Sequence, residues 1–91
     1  MVAVVTPERA VGVLGAALRA VAPDVDARRT DIDGLLQEEF DLDSMDFVEL
    51  LNEIRVRTGI DIPERDYPAL VTFRSFLGYL AGRPAISGEP R

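Results

Sequence analysis

Ninety-one residues, 47% of them hydrophobic, suffice for one small domain with a single modest core and do not read as disordered. The chain holds no cysteine, histidine, lysine or tryptophan, which excludes disulfides, ordinary zinc sites and a serine nucleophile backed by histidine or lysine, so an enzyme acting by itself is not expected. Net charge is −6, and the acidic excess argues against nucleic acid and anionic membranes as partners.

The opening MVAVV lacks the basic start and apolar length of a secretory signal, and no apolar run reaches the length of a membrane span. A cytoplasmic location is the expectation. Thr6-Pro7-Glu8 then announces a helix, with a capping hydroxyl, a proline suited to the first helical position and an acid at the positive end. Val11, Leu14, Leu18 and Val21 follow at helical spacing as its buried stripe, and Ala22-Pro23 ends it. Residues 23–42 form a long connection, tacked to the core by Leu35, Leu36, Phe40 and Leu42 through about one helical turn. No alternating strand pattern of useful length appears anywhere.

A second main helix is predicted over residues 44–58, with Gly59 as its stop. At about 100° per residue, Phe47, Val48, Leu50, Leu51 and Ile54 share one broad core face. Asp46, Glu49 and Glu53 lie opposite, with Met45 and Val56 beside them. Residues 31–54 carry nine acids and no base, whereas residues 1–30 and 55–91 sum to +1 and +2. The plain reading of this block is a solvated face; the functional one is a docking surface for a basic protein partner. Pro63 and Pro68 hold the next helical piece to a short, partly 3₁₀ turn over residues 64–69. Thr72 caps a last helix in which Phe73, Phe76, Leu77 and Leu80 keep helical spacing, closed by Gly82-Arg83-Pro84. Leu14, Leu18, Leu51, Ile54, Phe76 and Leu80 are the expected shared core. Residues 1–82 make the domain and residues 83–91 a flexible tail.

Ser44 sits in FDLDSMDFVELL, residues 40–51, at the mouth of the second main helix. As a helix cap, Asp43 or Ser44 is ordinary. As a nucleophile, Ser44 has no base. A third reading is modification by another protein's chemistry: a helix N-terminus favours a phosphoryl group, although the flanking carboxylates oppose it.

DLDSMDFVELL resembles the phosphopantetheine attachment motif of acyl carrier proteins, in which DSL or DSM opens the second helix. Gly59-Ile60-Asp61-Ile62-Pro63 is similar to that family's acidic-Ile-Pro turn. Leu70-Val71-Thr72-Phe73 is similar to the start of its last helix, Tyr79-Leu80 to that helix's close, and Leu36 and Phe40 to apolar positions of its first loop. The resemblance covers about residues 7–82. It implies an all-α, four-helix acyl-carrier-like bundle with three main helices, a short third helix and a long first loop. It also implies that a phosphopantetheinyl transferase, with magnesium, attaches 4′-phosphopantetheine from coenzyme A to Ser44. Acyl intermediates would then ride on the arm as thioesters, in a specialised lipid, polyketide or secondary-metabolite pathway.

By the same resemblance, Asp43, Met45, Glu49, Glu53 and Val56 form the surface that binds partners, and Phe47, Tyr67 and Leu70 line an acyl pocket. The implied partners are the transferase and acyl-loading and acyl-processing enzymes with basic docking patches. The carrier itself is expected to be a monomer, without catalytic or metal-ligating residues, nucleic-acid binding or membrane insertion. Three departures stand out. The family's usual glycine three residues before the serine is Asp41, so the turn must form without that flexibility. Arg55 and Arg57 replace acids of typical fatty-acid carriers, which points to a specialised pathway. Phe47 replaces a smaller residue near the acyl entrance, which implies a shallow or differently shaped pocket. The alternatives are an aminoacyl or peptidyl carrier of a nonribosomal pathway, and an unmodified carrier-like interaction module.

Overall fold

Thr6 is extended and its side chain accepts the Arg9 amide at 3.1 Å, with Pro7 at the first helical position. In the computed structural model, which describes residues 2–26 and 30–86, this cap starts α1, Pro7–Val21. Then follow α2 (Leu36–Glu39), α3 (Ser44–Thr58), a 3₁₀ helix (Glu64–Leu70) and α4 (Phe73–Leu80). α1 packs against α3 and α4, and α4 packs against the 3₁₀ helix, giving the expected carrier-like helical bundle.

The buried stripe of α1 is Ala10, Leu14, Ala17 and Leu18. Val11, expected on that stripe, is 50% exposed. Two alanines carry the seam instead, and their small side chains let α1 approach its neighbours closely. On α3 the buried residues are Leu50, Leu51, Ile54 and Thr58, with Phe47 half-buried. Val48 is not part of the core, contrary to the sequence reading, and is 58% exposed. It lies one step of about 100° beyond Phe47, off the edge of the seam. The six expected core residues are all buried. The buried Thr58 hydroxyl donates to the Ile54 carbonyl at 2.7 Å and accepts the Ile60 amide at 3.1 Å, so its polarity is satisfied. Gly59, at φ 77°, ends α3 in the left-handed conformation that favours glycine.

The long connection is fastened from both sides. Leu36, Phe40 and Leu42 are buried as expected, but Leu35 is half exposed. Leu35 bridges Thr72 in the manner of a strand, and the Leu36 amide donates to the Val71 carbonyl at 2.7 Å. Extended backbone sends neighbouring side chains to opposite sides, so only one of the two leucines reaches the core. Two residues before Leu35, Asp33 is held by Arg74, whose Nε lies 2.6 Å from Asp33 Oδ1 and Nη2 3.3 Å from Oδ2. That hydrogen-bonded guanidinium keeps the Asp33 carboxyl below its ordinary range.

One feature was not expected. β1 (Val2–Val4) pairs antiparallel with β2 (Pro84–Ile86), placing Ala3 opposite Ala85. Behind the pair, the Val5 amide donates to the Arg83 carbonyl at 2.9 Å and the Gly82 amide to the Val5 carbonyl at 2.8 Å. Strands of three residues are too short to write an alternation, and no local pattern reports a pairing between distant ends of a chain. Residues 84–86, which the sequence reading placed in the tail, thus pair with β1, and residues 87–91 lie outside the described residues.

Candidate functional site

The turn that delivers Ser44 is built at the end of α2. The Leu42 amide donates to the Gln37 carbonyl at 2.8 Å and the Asp41 amide to the Glu38 carbonyl at 3.3 Å, with Asp41 at φ 53°. This is a Schellman stop, and the buried Leu42 supplies the apolar contact that accompanies it. Glycine is the usual residue at such a position. Asp41 takes it here, and no other non-glycine residue among those described has a positive φ.

Two residues on, Asp43 caps α3. Its carboxylate accepts the Asp46 amide at 2.8 Å, and the Asp46 carboxylate accepts the Asp43 amide at 3.3 Å. The cap is therefore Asp43, not Ser44, and it is a reciprocal box. Ser44 becomes the first residue of a 15-residue helix. It is exposed, and its hydroxyl makes no hydrogen bond to any described residue. The Ser44 and Met45 amides are likewise without an acceptor among the described residues, as the first turn of a helix dictates. The Ser75 hydroxyl differs: it accepts the Thr72 amide at 3.0 Å inside the cap of α4.

Beside Ser44 runs a groove of about 650 Å³. α3 contributes Ser44, Phe47 and Val48 to it, and the 3₁₀ helix contributes Tyr67, Pro68 and Leu70. Val71, Leu35, Gln37 and Glu38 complete the lining. All three residues expected to form a pocket, Phe47, Tyr67 and Leu70, are therefore brought together next to the serine. The 3₁₀ wall is tied to α4 by Tyr79, whose hydroxyl donates to Asp66 Oδ2 at 2.7 Å. Burial, and then this bond, push the Tyr79 phenol above its ordinary value. The Arg83 guanidinium lies 3.7 Å over the same ring.

The outward face of α3 only partly matches the expected strip. Met45, Glu49 and Val56 point outward, and Met45 is 75% exposed. Glu53 is half-buried and paired with Arg57 along the helix, so its charge is partly offset. Asp43 is exposed, with its carboxylate engaged in the cap. Val48 joins this face and the groove rim together. A narrower count of the helical seam would have found Val48. Leu35 and Val71 carry no local signal, because their approach depends on the strand-like bridge between distant segments.

A family model described as the phosphopantetheine attachment site matches residues 10–80. The chain belongs to that family. It is accordingly a carrier protein that bears a covalently attached 4′-phosphopantetheine, not a catalyst, and a phosphopantetheinyl transferase is among the partners this implies. No curated protein and no solved structure shows significant similarity to it. The residues present fit the group: a primary hydroxyl and two amides, all without a partner among the described residues, stand at a helix N-terminus with a groove alongside. No helix of the carrier among the described residues is long and apolar enough to cross a membrane.

Proposed function

We propose that Ser44 is the attachment point of the 4′-phosphopantetheine arm and that this protein carries acyl intermediates. When bound, the arm supplies a thiol that holds an acyl group as a thioester. The observation that carries the reading is the exposed Ser44 hydroxyl on the first residue of α3, unbonded among the described residues, in the motif that resembles the family's own. Unpaired amides and the positive end of the helix dipole favour the phosphodiester anion formed on that oxygen. The opposing carboxylates of Asp43 and Asp46 are held in the cap, where each accepts the other's amide.

The groove supports acyl cargo rather than an unmodified module. Its lining is mainly apolar, Leu70 is fully buried, and Gln37 and Glu38 are its polar members near Ser44. Partner enzymes dock on α3, where Met45, Val48 and Val56 offer apolar contact and Glu49 offers a basic patch an exposed acid, unpaired among the described residues. Asp43 and Glu53 flank that surface. Arg55 is exposed and bonded to Asn52 at 3.1 Å, so the far end of the face is basic, in keeping with a specialised lipid, polyketide or secondary-metabolite pathway. The carrier works as a cytoplasmic monomer in this reading. Incubation with coenzyme A, magnesium and a broad-specificity transferase, read by intact mass for wild type and Ser44→Ala, tests the attachment.

A further inference from the structure

The far wall of the groove is a 3₁₀ helix with little of its own to hold it. Its seven residues are a long run for this kind of helix, its N-cap Pro63 makes no side-chain cap, and Pro68 interrupts its backbone donors. Leu70 anchors its C-terminal end in the core. Towards its start, Asp66 accepts the Tyr79 hydroxyl at 2.7 Å. Among the described residues this is the side-chain hydrogen bond that joins the 3₁₀ helix to another element, and Asp66 immediately precedes Tyr67 of the groove wall.

Tyr79 is itself clamped. Arg83 covers its ring at 3.7 Å and donates from Nε to the Tyr79 carbonyl at 2.8 Å. The Arg83 carbonyl in turn accepts the Val5 amide, so the clamp continues into the paired ends of the chain. We propose that Tyr79 is a positioning residue for cargo: its hydrogen bond to Asp66 sets where Tyr67 stands and so how well the groove shelters an acyl group carried from Ser44. The inference rests on the Ser44 reading. It makes Tyr79, which is not among the residues lining the groove, a determinant of how exposed the thioester is. Its phenol stays protonated through neutral pH, because burial and the Asp66 bond both favour the neutral form, so the donor is present there.

The test loads wild type, Tyr79→Phe, Asp66→Ala and Asp66→Asn from hexanoyl-coenzyme A and from acetyl-coenzyme A with a transferase and magnesium. Intact mass confirms loading, and the rate of thioester cleavage by hydroxylamine reports shelter. Tyr79→Phe and Asp66→Ala should cleave the hexanoyl thioester faster by about two- to tenfold, the range for losing one net hydrogen bond. Asp66→Asn, which keeps an acceptor oxygen, should stay close to wild type. The acetyl thioester, too short to use the groove, should react alike in all four, so a change confined to hexanoyl reports the groove rather than the reactivity of the arm. Equal hexanoyl rates in loaded wild type, Tyr79→Phe and Asp66→Ala would overturn the role of Tyr79 while leaving Ser44 standing. Failure of folded wild type to load would overturn the Ser44 reading and this inference with it.

Discussion

Phe47 of α3 and Tyr67 of the 3₁₀ helix meet edge to face, with ring centroids 5.7 Å apart and planes at 80°. The contact joins the two walls of the groove beside Ser44. Such pairs contribute about 0.5–1.5 kcal/mol beyond their buried area. A double-mutant cycle with Phe47→Leu and Tyr67→Leu should therefore return a coupling of about 0.5–1.5 kcal/mol in denaturant unfolding. Strict additivity would show that the rings stand side by side without supporting the wall.

Asp41 occupies a left-handed position that costs most L-residues about 1–2 kcal/mol. Aspartate tolerates it better than most, yet glycine has no such penalty. Asp41→Gly should stabilise the protein by about 0.5–1 kcal/mol, and Asp41→Val should destabilise it by about 1–2 kcal/mol. Denaturant midpoints check both signs. A loss on Asp41→Gly would mean that the aspartate side chain supports the turn.

These two sites show what the residues disclosed and what they withheld. The boundaries of α1, α3 and α4 were legible because capping residues, prolines and Gly59 punctuate the chain locally. For Phe47, Tyr67 and Leu70, family resemblance rather than any local pattern implies a shared pocket. Val11 and Val48 lie outside the core, where a helical wheel puts them, because the wheel gives a periodicity without the width of the seam. Alanine can also carry burial that a hydrophobic count assigns to valine. The β1–β2 pair, the Leu35–Thr72 bridge and the Tyr79–Asp66 bond all join distant segments, and nothing in the local pattern of either partner announces them. Asp41 was legible as an anomaly, and the structure supplies its meaning in the Schellman stop.

Docking should distinguish Glu49 from Glu53. Glu49 is exposed and unpaired among the described residues, whereas Glu53 already faces Arg57. Glu49→Arg should lower kcat/KM for modification by a transferase with a basic patch, on the order of tenfold at low salt, with the gap closing as salt rises. Its effect on stability should stay within about 0.5 kcal/mol. Glu53→Arg should affect modification less, and should cost about 0.2–0.5 kcal/mol by setting two arginines one turn apart. Equal rates for wild type and both variants at every salt concentration would remove the electrostatic part of the docking surface.

Tyr79 also predicts a pH dependence. Its folded-state value is raised above the ordinary 10.0 by burial first and by the Asp66 hydrogen bond second. A raised value means that the folded state prefers the protonated phenol, so the contribution is fully present below 10.0 and is lost as pH rises through the folded value. Stability should therefore fall on the alkaline side in wild type, and Tyr79→Phe should flatten that part of the decline. Parallel alkaline profiles for the two proteins would contradict the assigned environment of the phenol.

The most direct test of the whole account is the mass of the protein after incubation with coenzyme A, magnesium and a broad-specificity phosphopantetheinyl transferase. The account predicts that wild type gains one phosphopantetheine, that fragmentation places it on Ser44, and that folded Ser44→Ala gains none. A phosphopantetheine on Ser44→Ala, or none on folded wild type, would contradict it.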